Sequence, residues 1–284
     1  METVGEHPVP AGPLAVRWLA YELPEFRAGV ETVARVALQN AGSAHWRGAI
    51  KIAYHWLDPL GNPIVWDGSR TTFAETVDPG ATVELTVRLR APMPPGRYRL
   101  ALDLVDDSRF WFAEVGSSPL ELGADVIPRI PERRLAALIH AGPGEEADTR
   151  AALASLDEPL VAAEAVATAH LAAGCIPDPD WSRRILDAHA EGYAAVGGAV
   201  EADNGRRGRT KGAPDLDAWS SRGGRNTRFS SPLLFPSLVT GLEPESLDGM
   251  PVWTPKPMPK DDWPEPWVYD GRIRLRLRRD RRRA

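Results

Sequence analysis

The feature that most constrains this chain is a two-residue alternation of apolar and polar side chains, repeated in short runs between residues 14 and 127. In ATVELTVRLRAP (81–92), Val83, Leu85, Val87 and Leu89 share one face, and Glu84, Thr86, Arg88 and Arg90 the other. GRYRLALDLV (96–105) repeats the pattern with Tyr98, Leu100, Leu102 and Leu104, and IKIAYHWLD (50–58) with Ile50, Ile52, Tyr54 and Trp56. ETVARVALQNAG (31–42) sets Val33, Val36 and Leu38 among polar neighbours. A period of two marks a strand with one face buried. LAVRWLAYELP, RFWFAEVG and LELGADVI bring the set to about eight strands, the spacing of an antiparallel all-β domain. Asn40-Ala41-Gly42, Asp78-Pro79-Gly80 and Met93-Pro94-Pro95-Gly96 punctuate it, since proline presets φ and glycine accepts positive φ. So many one-sided strands are buried most economically by two sheets packed face to face.

Charge is distributed unevenly. Residues 272–284 carry eight arginines and one aspartate, so the preceding 271 residues hold 26 basic and 38 acidic side chains. An acidic body with a basic end suits contact with phosphate, anionic lipid or an acidic partner, and equally suits an internal clasp or a solubilising tail. The single cysteine, Cys175, excludes an intrachain disulfide and thiol-rich metal sites. No apolar run approaches the ~20 residues of a membrane span, and the first residues lack a basic and then apolar leader, so a cytoplasmic location is expected.

Trp56 alternates in phase with the apolar face of its strand, and it and Trp111 read as core. Trp46 and Trp66 flank turns and suit either core or an exposed platform for sugar rings. The string from Ala44 to Gly116, with HWRG, DPLGNPIVWDGSRTTF, VDPGATVELTVRLRAP and RFWFAEVG, resembles the immunoglobulin-like modules appended to bacterial glycosyltransferases and other envelope-polysaccharide enzymes. The resemblance implies an immunoglobulin-like β-sandwich over residues 12–127, serving as an accessory module without a catalytic centre.

Beyond a Pro- and Arg-bearing linker at 128–134 the pattern changes. RRLAALIHAG reads as a short buried strand, EEADTRAALASLD as an amphipathic helix, and DWSRRILDAHAEG as a helix with Asp180 at its N-cap and Gly192 at its stop. Helices alternating with short strands predict a small α/β domain over 135–250. CIPDPDWSRRILDAHAEGYAAVGGAVE (175–201) resembles the middle of family 2 glycosyltransferases of the GT-A fold. In that family an Asp-x-Asp pair binds the divalent metal of the donor pyrophosphate. Here the matching positions are Ala172 and Gly174, which have no ligand atom. The resemblance therefore implies a partial, shortened GT-A-like domain lacking the metal pair. Asp178 and Asp180 read as caps or as weak catalytic candidates, and Asp261 and Asp262 as weak candidates for the base.

Residues 203–231 are polar, basic and glycine-rich. Arg206, Arg207, Arg209, Arg222 and Arg225 could hold an anion, although an exposed loop explains them as well. Residues 251–284 combine a Pro/Trp-rich segment with a basic strand in which Arg272, Arg274, Arg276 and Arg278 alternate with apolar residues, as at a sheet edge that could face an anionic surface. The histidines show no metal-ligand spacing, and neither a metal nor a cofactor is expected. The function expected is a non-catalytic glycan-pathway role in binding or assembly, with a glycan or a polysaccharide-assembly protein as partner. Two alternatives are a metal-independent glycosyltransferase using the loop arginines, and an adaptor docking a larger enzyme.

Overall fold

The computed structural model describes residues 1–5, 8–107, 109–140, 145–202, 238–240 and 266–277. The chain is β-rich and divides into two compact units, Met1–Pro128 and Arg129–Ala284.

The first unit contains β1 (Glu2–Thr3), β2 (Val16–Glu22), β3 (Phe26–Arg27), β4 (Glu31–Asn40), β5 (Ile50–Leu57) and β6 (Pro63–Val65). It continues with β7 (Thr71–Thr72), β8 (Thr82–Arg90), β9 (Gly96–Asp106), β10 (Phe110–Trp111), a 3-10 turn at Phe112–Val115 and β11 (Leu120–Ile127). One sheet has the order β1-β2-β4-β8 and the other β3-β11-β9-β5-β6, with β7 on β5 and β10 on β9. Pairing is antiparallel except between β11 and β3. Both sheets feed one core: Trp18, Val36, Leu38, Val87 and Leu89 from the first, Ile52, Trp56, Leu100, Leu102 and Leu104 from the second. Trp56 is fully buried, meets Phe26 edge-on at 5.2 Å and donates its indole N–H to Arg90 O at 2.9 Å.

Three expectations change here. In β4 the inward face is Ala34, Val36 and Leu38, while Val33 is half exposed, because the period of two admits Val36 or Val33 to a face but not both. In β9 the alternation predicts one buried face, yet every residue from Leu100 to Asp106 is buried. The strand is central, between β11 and β5, and the 3-10 turn closes on its outward Asp103, which accepts from Ala113 N at 3.2 Å. Trp46 offers no ring face to a sugar: it is fully buried, packed on Phe73 at 5.6 Å and Phe112 at 6.1 Å. The isolated bridge from Trp46 to Val77 draws it inside.

The second unit contains β12 (Leu135–His140), α1 (Glu146–Leu153), β13 (Ala167–Ala172), β14 (Cys175–Pro177), α2 (Trp181–Glu191), β15 (Ala195–Ala202), β16 (Leu238–Thr240) and β17 (Trp267–Leu277). Its mixed sheet has the order β12-β13-β16-β15-β17-β14, with parallel pairs β12/β13 and β15/β17. Trp181, Ile185 and Leu186 of α2 pack with Leu135, Leu171 and Val196 in its core. Gly192 stops α2 with φ +128°. The segment read as a linker is fastened to this unit: Arg133 makes a bidentate pair with Glu158 at 2.8 and 2.7 Å and reaches Asp187 at 2.9 Å.

The basic strand alternates as read, with Ile273 and Leu275 buried and Arg272, Arg274 and Arg276 exposed. It is not an edge strand, because β14 pairs outside it through Cys175–Leu277 and Pro177–Leu275. Its pairing with β15 breaks register between Gly198 and Ala199, where residues 271–273 bulge. A Cβ at position 198 would stand 2.3 Å from the Ile273 carbonyl oxygen. Gly198→Ala is therefore expected to destabilise this unit by about 2 kcal/mol, read as a lower urea midpoint. An unchanged midpoint would mean that the bulge yields freely.

Candidate functional site

The described residues bring chemistry together on the outward face of the β5–β9 sheet. Because residues alternate across a strand, the apolar face of β5 leaves Lys51, Ala53 and His55 on the opposite side. The register sets Lys51 beside Val105, Ala53 beside Asp103 and His55 beside Ala101. Trp111 of β10 pairs with Val105 and joins the same face.

The hairpin after β5 delivers Trp66. Asp58 organises its turn, accepting from Leu60 N at 2.9 Å, Asn62 N at 2.8 Å and the Asn62 amide at 2.8 Å, with Gly61 at φ +92°. The Asn62 hydrogen bonds hold the Asp58 carboxyl below its ordinary range. Pairing of Val65 with Trp56 then fixes the strand, and Gly68 N donates to Tyr54 O at 3.0 Å. A side chain at Gly68 would collide with the Tyr54 ring at 2.5 Å, so glycine permits this close crossing.

Trp66 is 55% exposed and stacks on the His55 imidazole, with ring centroids 4.2 Å apart and planes at 27°. Trp111 meets His55 edge-on at 4.3 Å and lies 6.4 Å from Trp66. His55 hydrogen-bonds the Trp66 carbonyl through Nδ1, which tethers the two ends of the hairpin. Burial pushes the His55 pKa down, so at neutral pH the ring is uncharged and Nδ1–H is the donor. The Arg70 guanidinium lies 5.5 Å from the Trp111 ring centre, within cation–π range. Arg70 also bonds Asp67, and reaches Asp107 at 3.3 Å, which Lys51 pairs at 2.5 Å. The Lys51 hydrogen bond is the largest cause holding Asp107 below the ordinary carboxylate range.

Asp103 supports the platform from beneath. It is fully buried and accepts from Leu104 N at 2.7 Å and Ala113 N at 3.2 Å, so it anchors the 3-10 turn that follows Trp111. Burial pushes its pKa up to about 7. Glu114 of that turn accepts from Trp111 N at 3.1 Å.

The other candidates are placed as follows. Asp180 occupies the N-cap position of α2, but its side chain makes no capping bond. Its carboxylate turns instead to Arg184 Nε at 2.5 Å and Arg183 at 3.4 Å, since an arginine one turn on competes with the backbone N–H groups. Asp178 lies in the preceding turn, its carbonyl accepting from Trp181 N at 3.0 Å. Ala172 ends β13, and Gly174 turns the chain at φ +96°. Arg272 is paired with Asp270 at 2.6 Å. Arg206, Arg207, Arg209, Arg222, Arg225, Asp261, Asp262 and Arg278 lie outside the described residues. Among the described residues no group of three or more His, Cys, Asp or Glu could hold a metal, and no helix is long and apolar enough to cross a membrane.

The sequence reading reached Trp66 but passed over His55, Arg70, Asp107 and Lys51, and assigned Trp111 to the core. The available signal was phase: His55 falls out of step with the apolar face of IKIAYHWL, on the side where Lys51 also lies.

The sequence matches no protein-family model and no curated protein. Among solved structures, the C-terminal domain of Wzt is similar with a TM-score of 0.31 and 10% identity, over 42% of this chain and 76% of that one. A β-glucosidase from Listeria innocua scores 0.25 at 12% identity, over 39% of this chain and 16% of its own. The ASH/PapD-like domain of human CEP192 scores 0.21 at 13% identity, over 45% of this chain and 94% of that domain.

Proposed function

We propose that the first unit is an immunoglobulin-like β-sandwich that binds glycan without catalysis, through a platform centred on Trp66. The observation that carries this reading is an exposed indole held rigidly by a buried imidazole, with a second tryptophan and paired charges at its rim. A sugar ring presents C–H groups on one face and hydroxyls around its edge. Such a ring packs its apolar face on an indole, while carboxylates and guanidinium at the rim meet the hydroxyls. Preorganisation by the Trp66–His55 stack lowers the ordering cost of binding. Two sheets sharing a single core, with mostly antiparallel pairing, support the sandwich reading.

The second unit is read as a partial GT-A-like domain. The order strand, Pro-rich turn, helix, strand over 167–202 supports that reading, and the missing carboxylates at Ala172 and Gly174 support a binding or assembly role over transfer.

Titration of the full chain with cello-, malto- and manno-oligosaccharides, followed by tryptophan fluorescence and calorimetry, tests the binding function. Saturable binding is expected, and Trp66→Ala is expected to weaken it by at least about tenfold, on the scale of losing one stacked aromatic anchor. Since Trp66 is exposed, the thermal transition of that variant is expected to stay within a few degrees of wild type. Binding that survives in Trp66→Ala would place the glycan site elsewhere.

A further inference from the structure

We propose that the Trp66 platform selects neutral glycans and rejects acidic ones, an inference that rests on the glycan-binding function proposed above. Each cation at the rim is already committed to a carboxylate. Lys51 pairs with Asp107, and Arg70 pairs with both Asp67 and Asp107. Glu114, bonded to the Trp111 backbone, adds a third carboxylate against these two cations. The imidazole beneath Trp66 contributes no charge, because burial keeps it neutral.

A uronate or phosphate approaching Trp66 would therefore meet a face of net negative charge, and would have to displace a carboxylate from Arg70 to find a partner. Asp67 is more exposed than Asp107, at 58% of its side chain against 35%, and stands beside the indole in sequence. Repulsion between an acidic ligand and this group is only partly screened at physiological salt, where the Debye length is about 8 Å. A neutral hydroxyl suffers no such penalty. It can donate to the Asp67 or Asp107 oxygens and accept from the guanidinium, using both halves of each ion pair at once.

The experiment compares the neutral oligosaccharides above with oligogalacturonate and alginate oligomers of equal length, by calorimetry at neutral pH. Neutral oligomers are expected to bind about tenfold more tightly than the acidic ones, with an affinity that changes less than about twofold on raising the salt. Asp107→Asn, which releases Lys51 and half of Arg70 but also takes carboxylate acceptors from the sugar hydroxyls, is expected to improve acidic binding several-fold and weaken neutral binding a few-fold, so that the preference for neutral oligomers disappears. Asp67→Asn, at a more exposed position, supplies the same comparison if Asp107→Asn folds poorly. Equal or tighter binding of the acidic oligomers to the wild type would overturn the selectivity and leave the glycan reading intact. Failure of every oligosaccharide to bind would remove both.

Discussion

Between pH 7 and pH 4 one buried group in each unit is expected to act in opposite directions, Asp103 favouring the folded first unit toward acid and His189 disfavouring the folded second unit. In the first unit, burial raises the Asp103 pKa from 3.8 to about 7. The folded state then holds a proton that the unfolded state has released across that window. Stability from this group is present in full below pH 3.8 and is lost as the pH rises through about 7, by about 4 kcal/mol at 1.36 kcal/mol per unit. In the second unit, His189 is 3% exposed, hydrogen-bonds Tyr193 O at 2.8 Å, and has its pKa lowered by burial from 6.5 to about 4. Here the unfolded state binds the extra proton. Stability is present above pH 6.5 and falls by about 3 kcal/mol as the pH drops through about 4. Carboxylates held below their ordinary range, such as Asp107 and Glu31, lose their pairs in acid, and buried His55, its pKa lowered by burial, resists taking up a proton, so all three add a background that opposes Asp103. Differences against Asp103→Asn and His189→Gln, measured by urea unfolding across the pH range, cancel that background. Wild type is expected to gain on Asp103→Asn toward acid and to lose on His189→Gln. Two flat differences would show that neither group is desolvated as the packing implies.

Asn40→Asp is expected to cost the first unit about 4 kcal/mol, although the two side chains have nearly the same shape. Asn40 is fully buried at the end of β4. Its amide donates to Ala44 O at 2.8 Å and Val77 O at 3.0 Å, and its oxygen accepts from Gly42 N at 3.1 Å. Those three bonds stitch the 40–44 turn to the strand bridge at Trp46 and Val77. A carboxylate keeps the bond from Gly42 but turns both donors into acceptors facing two carbonyl oxygens. Chemical unfolding at neutral pH checks the magnitude, and partial recovery in acid is expected, since a protonated carboxyl can donate once. A variant within about 1 kcal/mol of wild type, the size of one ordinary hydrogen bond, would show that water reaches the site.

Much of the architecture was legible before any coordinates. The strands ATVELTVRLRAP and IKIAYHWLD announce themselves because side-chain alternation is local: each residue's face follows from its neighbour's. The α2 helix and its Gly192 stop were readable for the same reason. The Gly-Gly pair inside β15 is visible in the sequence, but that the Ile273 carbonyl approaches Gly198 is not.

The sequence by itself therefore determined the long strands and the turns between them, since these depend on contacts a few residues apart, whereas RFWFAEVG, read as one strand, is strand only at Phe110–Trp111 before a 3-10 turn. Only the tertiary structure decided which second faces are covered. It buried Trp46 and left Trp66 out, covered both sides of β9, and set β17 inside its sheet. It also gathered His55, Trp66, Arg70, Asp107 and Trp111, which come from three separate stretches of chain. Their meeting depends on the register between β5, β9 and the hairpin. Register is a relation between distant residues, and no local pattern encodes it.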